Sequence, residues 1–296
     1  MPSYRTELPL LALLALLWGS SYLFIKLAVA EIPPLTLIAL RVLGAAAFLI
    51  AVMGLRSEKL PADTRTWRML LLQAVFNSIG AWTVLAWGQQ FVDSGLSSVL
   101  NSTSPIFVLI ITALVTRHEA LGGRKLAGAM LGLLGVTLIV GVGALRGLGD
   151  QVAGQLACLL GAALYAYAAI YGRRFGHIGA MATAAGTMIC ASAVLVPLAL
   201  VVDRPWRLSP GPMALAATGI LSVFCTGVAL LIYFRLVRTL GSMGVASQSY
   251  LRAGVGVILG MVFLGESFTL PIALGLAAAM LGVALINWPQ RMPPGR

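Results

Sequence analysis

Charge is scarce in this chain. Asp, Glu, Lys and Arg together make up 10% of its 296 residues, against about 25% in a soluble domain, and no water-facing surface can be built from so few. The two histidines, His118 and His177, stand near arginines at expected helix ends, which leaves no imidazole for a metal or an acid–base pair inside an apolar segment. The three cysteines, Cys158, Cys190 and Cys225, occur singly and without metal or redox spacing, so they read as core residues and imply neither a disulfide nor zinc. The nine carboxylates, Glu7, Glu31, Glu58, Asp63, Asp93, Glu119, Asp150, Asp203 and Glu266, all fall at expected helix ends or in loops. No glycine-rich stretch runs into Lys-Ser or Lys-Thr, so a phosphate-cradling loop is missing. Together these absences argue against an enzyme and imply no cofactor and no metal.

What is present is hydrocarbon. Hydrophobic residues make up 59% of the chain and the mean hydropathy is +0.96, the composition of an all-α integral membrane protein. Ten apolar stretches approach the roughly 20 residues that cross a bilayer: 8–29, 34–54, 68–91, 96–116, 125–143, 154–172, 178–202, 212–236, 243–264 and 269–288. Arg5 with the leucine run from Leu10 and Ala28-Val29-Ala30 imitates a signal peptide. The stretch is read instead as a retained span, because it is long and carries Trp18 and Tyr22. Short cytoplasmic loops keep Lys and Arg. With the N-terminus inside, that face collects Arg5, Arg56, Lys59, Arg65, Arg68, Arg117, Arg124, Lys125, Arg173, Arg174, Arg235, Arg238, Arg291 and Arg296, and the other only Arg146, Arg204 and Arg207. Both termini are therefore expected in the cytoplasm, with the chain multi-pass in the cell inner membrane. The net charge of +11 is dispersed over short segments, which speaks against a nucleic-acid partner.

The chain also matches itself at an offset of 147 residues without a gap. Gly80 falls on Gly227, Glu119 on Glu266, Gly128 on Gly275, Trp18 on Tyr165 and Lys26 on Arg173, and Leu134-Gly135-Val136 on Leu281-Gly282-Val283. Two repeats follow, 1–146 with the first five spans and 147–296 with the last five. An odd number of spans per repeat inverts one half relative to the other, as in alternating-access carriers.

Candidate site residues gather near midspan. Lys26, Arg41 and Arg252 are the charges inside apolar stretches, and an ion there is a functional candidate. Arg252 lies about ten residues into the ninth span, where a guanidinium can hold a carboxylate in two-pronged fashion. Arg41 reads equally as an anchor to backbone carbonyls and Lys26 as a side chain reaching the interface. Polar clusters accompany them: Asn101-Ser102-Thr103-Ser104-Pro105 in the fourth span and Ser247-Gln248-Ser249-Tyr250 in the ninth, with Asn77 and Ser78 in the third. Pro105 frees a carbonyl one turn earlier and predicts a kink bordering a cavity. Trp18, Tyr22, Trp82, Tyr165 and Tyr250 supply rings for an amphipathic ligand. The predicted substrate contacts are thus Arg252, Tyr250, Gln248, Asn101, Ser104, Asn77, Trp82, Trp18, Tyr22 and Tyr165. Pro105, Lys26, Arg41, Gly256 and Gly260 are assigned to structure or gating. Gly128, Gly132 and Gly135, with Gly275, Ala279 and Gly282, predict close helix packing between the halves or between protomers. Gly254, Gly256 and Gly260 read either as packing or as a bend.

These residues resemble a known family. Trp18-Gly19-Ser20-Ser21-Tyr22 followed by Lys26-Leu27-Ala28, Arg41 in Leu-Arg-Val, Ser104-Pro105-Ile106-Phe107 with Glu119, and the glycine-rich fifth span are similar to the EamA-type transporters of the drug/metabolite transporter superfamily, over essentially the full chain. The second half departs by placing Leu251-Arg252 where the proline would stand. The resemblance implies a ten-helix carrier with two inverted five-helix repeats and a central cavity. Within the family the chain looks like the YddG-like amino acid exporters, which implies export of neutral and aromatic amino acids. The alternative is a broad-specificity exporter of drugs or other metabolites. The expected partners are a small-molecule substrate and the lipid bilayer, and nothing fixes an oligomeric state. No carboxylate or histidine sits at a span centre, so transport is expected to be facilitated diffusion or to couple through a helix-end group such as Glu119 or Glu266.

Overall fold

Prolines stand in the first turn of several helices, at Pro34, Pro105, Pro212 and Pro271. The structure, a computed structural model, describes residues 4–88, 91, 99–113, 123–140, 151–252, 254–255 and 269–288. Among these the regular structure is helical. Helix α1 spans Tyr4–Val29 and α2 spans Pro34–Leu55, started by Pro34, whose missing N–H costs nothing in a first turn. Helix α3 (Thr64–Ala74) is capped by Asp63, which accepts from the Thr66 N–H at 2.7 Å. It passes through a π-helical turn, Val75–Gly80, into α4 (Ala81–Gly88). Then come α5 (Ser104–Ile111), α6 (Gly123–Val140), α7 (Val152–Gly172), α8 (Ala180–Val202) and α9 (Pro212–Ser222). A second π turn, Val223–Val228, joins α9 to α10 (Ala229–Thr239), followed by α11 (Gly241–Ala246) and α12 (Leu270–Asn287).

Seven stretches among the described residues are long and apolar enough to cross a membrane: Thr6–Val29, Pro34–Leu55, Thr64–Leu85, Val152–His177, Ala180–Val202, Pro212–Thr239 and Leu270–Asn287. The fourth and ninth expected spans differ from the continuous helices that hydropathy suggests. Residues 102–103 form a turn before α5, and Ser247 forms one after α11. Pro105 cannot donate to residue 101, and the Ser247 hydroxyl donates back to the Gly244 carbonyl at 2.6 Å, so each helix is interrupted where its own sequence competes with the ladder. The expected repeat boundary at 146/147 lies outside the described residues, as do Gly256, Gly260, Glu119, Glu266 and the side chains of Tyr22 and Lys26.

The bundle is apolar outside. Leu55, Val201, Leu270 and Met280 are among many large hydrophobic side chains left exposed, whereas Arg41, Gln73, Asn77, Asn101, Thr226 and Gln248 are buried. That distribution suits hydrocarbon and not water. Helices α6 and α12 pack backbone to backbone. A β-carbon on Gly128 would stand 2.8 Å from the Gly282 carbonyl oxygen, and one on Gly275 would stand 2.7 Å from that of Gly135. Gly135 likewise faces the Ala279 backbone and Gly282 the Gly132 backbone. The small residues thus pack the two halves of this chain against each other.

The two ends of the bundle differ. At the start of α1, buried Glu7 accepts from the Arg235 guanidinium at 2.9 Å and from the Thr239 hydroxyl at 3.0 Å, tying α1 to the end of α10. At the opposite end, Asp203 accepts from the Thr36 N–H and hydroxyl, both at 2.8 Å, and Glu31 from the Gly211 N–H at 2.5 Å. These bonds cap α2 and α9 from neighbouring loops.

Candidate functional site

A cavity of about 350 Å³ opens beside Val29 and Pro34, at the end of α1 and the start of α2, and descends to Arg41, Asn101 and Arg252. Its volume falls in the range of small organic ligands. Trp18, Trp82 and Tyr165 give it aromatic walls. Below it lies a second space of about 20 Å³, lined by Gln248, Ser104, Ser249 and Tyr233, and sharing Trp18, Tyr165 and Arg252 with the first. No carboxylate lines either space among the described residues.

The two arginines differ in how they are held. Arg41 is 8% exposed. Its Nε donates to the Thr226 hydroxyl at 2.6 Å and a terminal nitrogen to the Cys225 carbonyl at 3.3 Å. Its guanidinium lies 4.3 Å from the Trp82 ring centroid. Both acceptors belong to the second π turn, whose wider coil leaves a carbonyl that an α-helix would have used. Arg41 therefore anchors α2 to that turn while forming part of the cavity wall. Arg252 sits 5.9 Å from the centroid of Trp18 and makes no hydrogen bond or ion pair among the described residues. Gly19 lets α1 come this close, since a β-carbon there would stand 2.8 Å from Val255 and 3.4 Å from the Arg252 carbonyl.

The structure brings Trp18, Trp82, Asn101, Tyr165, Arg252 and Arg41 to the larger space, and Ser104 and Gln248 to the smaller. Ser104 is partly occupied, donating to the Ala162 carbonyl at 2.8 Å. Pro105 opens α5 directly after the break. Asn101 Oδ1 and Gln248 Oε1 are buried without a hydrogen-bond partner. Tyr250 is not part of this group. The turn at Ser247 rotates it onto α6, where its ring fills the space left by Gly132 and its hydroxyl donates to the Ala129 carbonyl at 2.9 Å. Asn77 is buried within the first π turn and lines neither space. Gly254 packs on Leu276.

Sequence reasoning missed Ser21, Ile25 and Leu37 on the cavity wall and the Thr226 and Cys225 acceptors. One signal for the π turns was available. Gly80 and Gly227, a repeat pair, each fall at or next to the end of one. Nothing in composition marked Thr226.

Comparison with known proteins bears on the whole chain. The model of the EamA-like transporter family matches residues 6–141 and again 152–288. The chain is 28% identical over 298 aligned positions to the uncharacterized inner membrane transporter YedA of Escherichia coli K12, covering 99% of this chain and 95% of that protein. It is 27% identical to the uncharacterized transporter YvbV of Bacillus subtilis, over 97% of this chain and 93% of that one. A solved crystal structure superposes with a TM-score of 0.82 across 96% of this chain and 98% of its own, at 18% identity, a likeness of fold.

Proposed function

The chain belongs to the EamA-like transporter family, and we propose that within it this protein is a carrier exporting neutral and aromatic amino acids across the inner membrane. It is a membrane transporter and not an enzyme, with a small-molecule substrate and the bilayer as its partners. The reading adds ten membrane-crossing helices in two inverted repeats, 1–146 and 147–296, both termini in the cytoplasm, and alternating access through the central cavity. The observation that carries it is the pairing of aromatic walls, Trp18, Trp82 and Tyr165, with the Arg252 guanidinium, which makes no hydrogen bond or ion pair among the described residues. Rings accept an apolar side chain, and the guanidinium accepts a carboxylate. The bonds of Glu7 with Arg235 and Thr239 tie the start of α1 to α10, and the cavity lies toward the other end of α1, beside Val29 and Pro34. The YedA name places that relative in an inner membrane. No carboxylate or histidine among the described residues lines the cavity, which favours diffusion down the solute gradient.

Counterflow tests this. In liposomes holding the purified protein and an unlabelled amino acid mixture, labelled phenylalanine or methionine accumulates transiently, and Arg252→Ala abolishes the overshoot. No overshoot with any amino acid from folded protein would transfer the reading to drugs or other metabolites, which the apolar walls also suit.

A further inference from the structure

The cavity consists of two spaces with a common wall, and that wall follows the sequence repeat. Trp18 and Tyr165 stand 147 positions apart, and both line the large space and the small one, as does Arg252. The spaces differ in their next residue. Asn101 lines the large space and Gln248 the small, and these two are also 147 apart. Asn101 is 5% exposed and Gln248 6%. In each the side-chain carbonyl oxygen has no hydrogen-bond partner among the described residues.

A buried amide oxygen without a donor is destabilising, and it persists where something else supplies the donor. Three buried amide oxygens have this feature among the described residues; Gln73 Oε1 lies away from both spaces, and the other two stand at repeat-related positions on either side of a shared wall whose guanidinium, Arg252, makes no hydrogen bond or ion pair among the described residues. A guanidinium offers only N–H donors and takes an anion, whereas an amide oxygen takes an N–H. Apart from the Tyr233 hydroxyl, which borders the Gln248 space and is itself unpaired among the described residues, the set lacks the donor that a ligand would bring.

We propose that Asn101 Oδ1 and Gln248 Oε1 are alternating acceptors for the substrate's ammonium group, one for each side of the membrane, while Arg252 keeps the carboxylate. The proposal rests on the amino acid reading above and selects within it: the substrate carries a free amine beside its carboxylate. Arg252 borders both spaces, so the carboxylate keeps its partner as the ammonium passes between amides. Neither amide titrates, so the exchange needs no proton. In the conformation described, the Asn101 space is open, and the Gln248 space is closed to about the volume of one water.

Binding to the purified full chain in detergent tests the chemistry, with phenylalanine and hydrocinnamate, the same molecule without its amine, as probes. The wild type prefers phenylalanine by about tenfold or more, the usual effect of one charge-assisted hydrogen bond. Asn101→Leu, which removes the acceptor at similar volume, loses that preference and still binds hydrocinnamate. Asn101→Asp keeps an oxygen acceptor and keeps the preference. Equal wild-type affinity for the two probes, or a preference that survives Asn101→Leu, overturns the proposal. Labelled phenylalanine uptake into right-side-out and inside-out membrane vesicles tests the alternation. Asn101→Leu and Gln248→Leu raise the half-saturating concentration by about tenfold in opposite vesicle orientations. Equal effects in both orientations would reduce the pair to packing residues. A wild type that melts cooperatively and binds no amino acid defeats the amino acid reading itself, and is told apart from the other failures because hydrocinnamate and phenylalanine are then both inert.

Discussion

The contact between α6 and α12 and the wall of the central cavity are built on opposite terms. At the helix contact, a β-carbon on Gly128, Gly135, Gly275 or Gly282 would stand under 3 Å from backbone atoms of the facing helix. On the cavity wall, among the described residues, Arg252 has no ion pair and the side-chain carbonyl oxygens of Asn101 and Gln248 have no hydrogen-bond partner. Between these extremes stands Arg41, which faces the same cavity and spends its donors on Thr226 and Cys225. Stability and ligand contact are thus carried by different residues, and a charge facing the cavity can serve either.

The sharpest way to break that division is at the contact itself. Gly135→Leu drives a side chain into the Ala279 and Gly275 backbone, which cannot yield as a side-chain tip can. A loss of about 3 kcal/mol or more is expected, seen as a large fall in melting temperature of the detergent-solubilised protein. Gly54→Ala, whose new β-carbon meets nothing within 4 Å, is the control and leaves the melt nearly unchanged. Next comes Arg41→Ala, which removes two hydrogen bonds and the contact with Trp82. It lowers stability by about 2 kcal/mol and impairs transport with it. Arg252→Ala separates the two properties: melting shifts by no more than about 0.5 kcal/mol, while ligand affinity falls by about tenfold to a hundredfold. A large drop in melting temperature for this variant would erase the contrast with Arg41.

The smallest effect lies outside the membrane. The Thr66 N–H donating to Asp63 holds that carboxyl below its ordinary range. A depressed carboxylate stabilises the fold above its unfolded pKa, and the contribution disappears as pH falls through the lower folded one. Asp63→Ala therefore melts slightly below wild type at neutral pH, and the two curves converge in acid beneath the usual carboxylate range.

Much of this was legible in advance, and the limits have physical causes. Apolar runs of bilayer length located α1, α2, α8 and α12, because a helix in lipid has little freedom in length or composition. Self-matching glycines marked the α6–α12 contact, since only small residues let backbones meet. Arg252, Asn101 and Gln248 stood out as polar residues where hydrocarbon was expected. Tyr250 misled because three residues after a helix break the face a residue presents depends on the turn, and the turn at Ser247 was not legible. Arg41 was recognised as an anchor or a site residue, but its partners sit 184 and 185 positions away in a π turn that hydropathy cannot register. Glu7 was read as an ordinary helix-end carboxylate, and its burial against Arg235 and Thr239 depends on tertiary packing alone.

The reciprocity of the α6–α12 contact bears on how such a chain can arise. Gly128 meets Gly282 and Ile286, and Gly275, the repeat image of Gly128, meets Gly135 and Ile139, the images of those two. A contact of this kind is self-complementary: one surface suffices, because it recognises its own copy. A half-length ancestor bearing it would already pair with itself, and joining two such genes end to end would preserve the interface without inventing a second one.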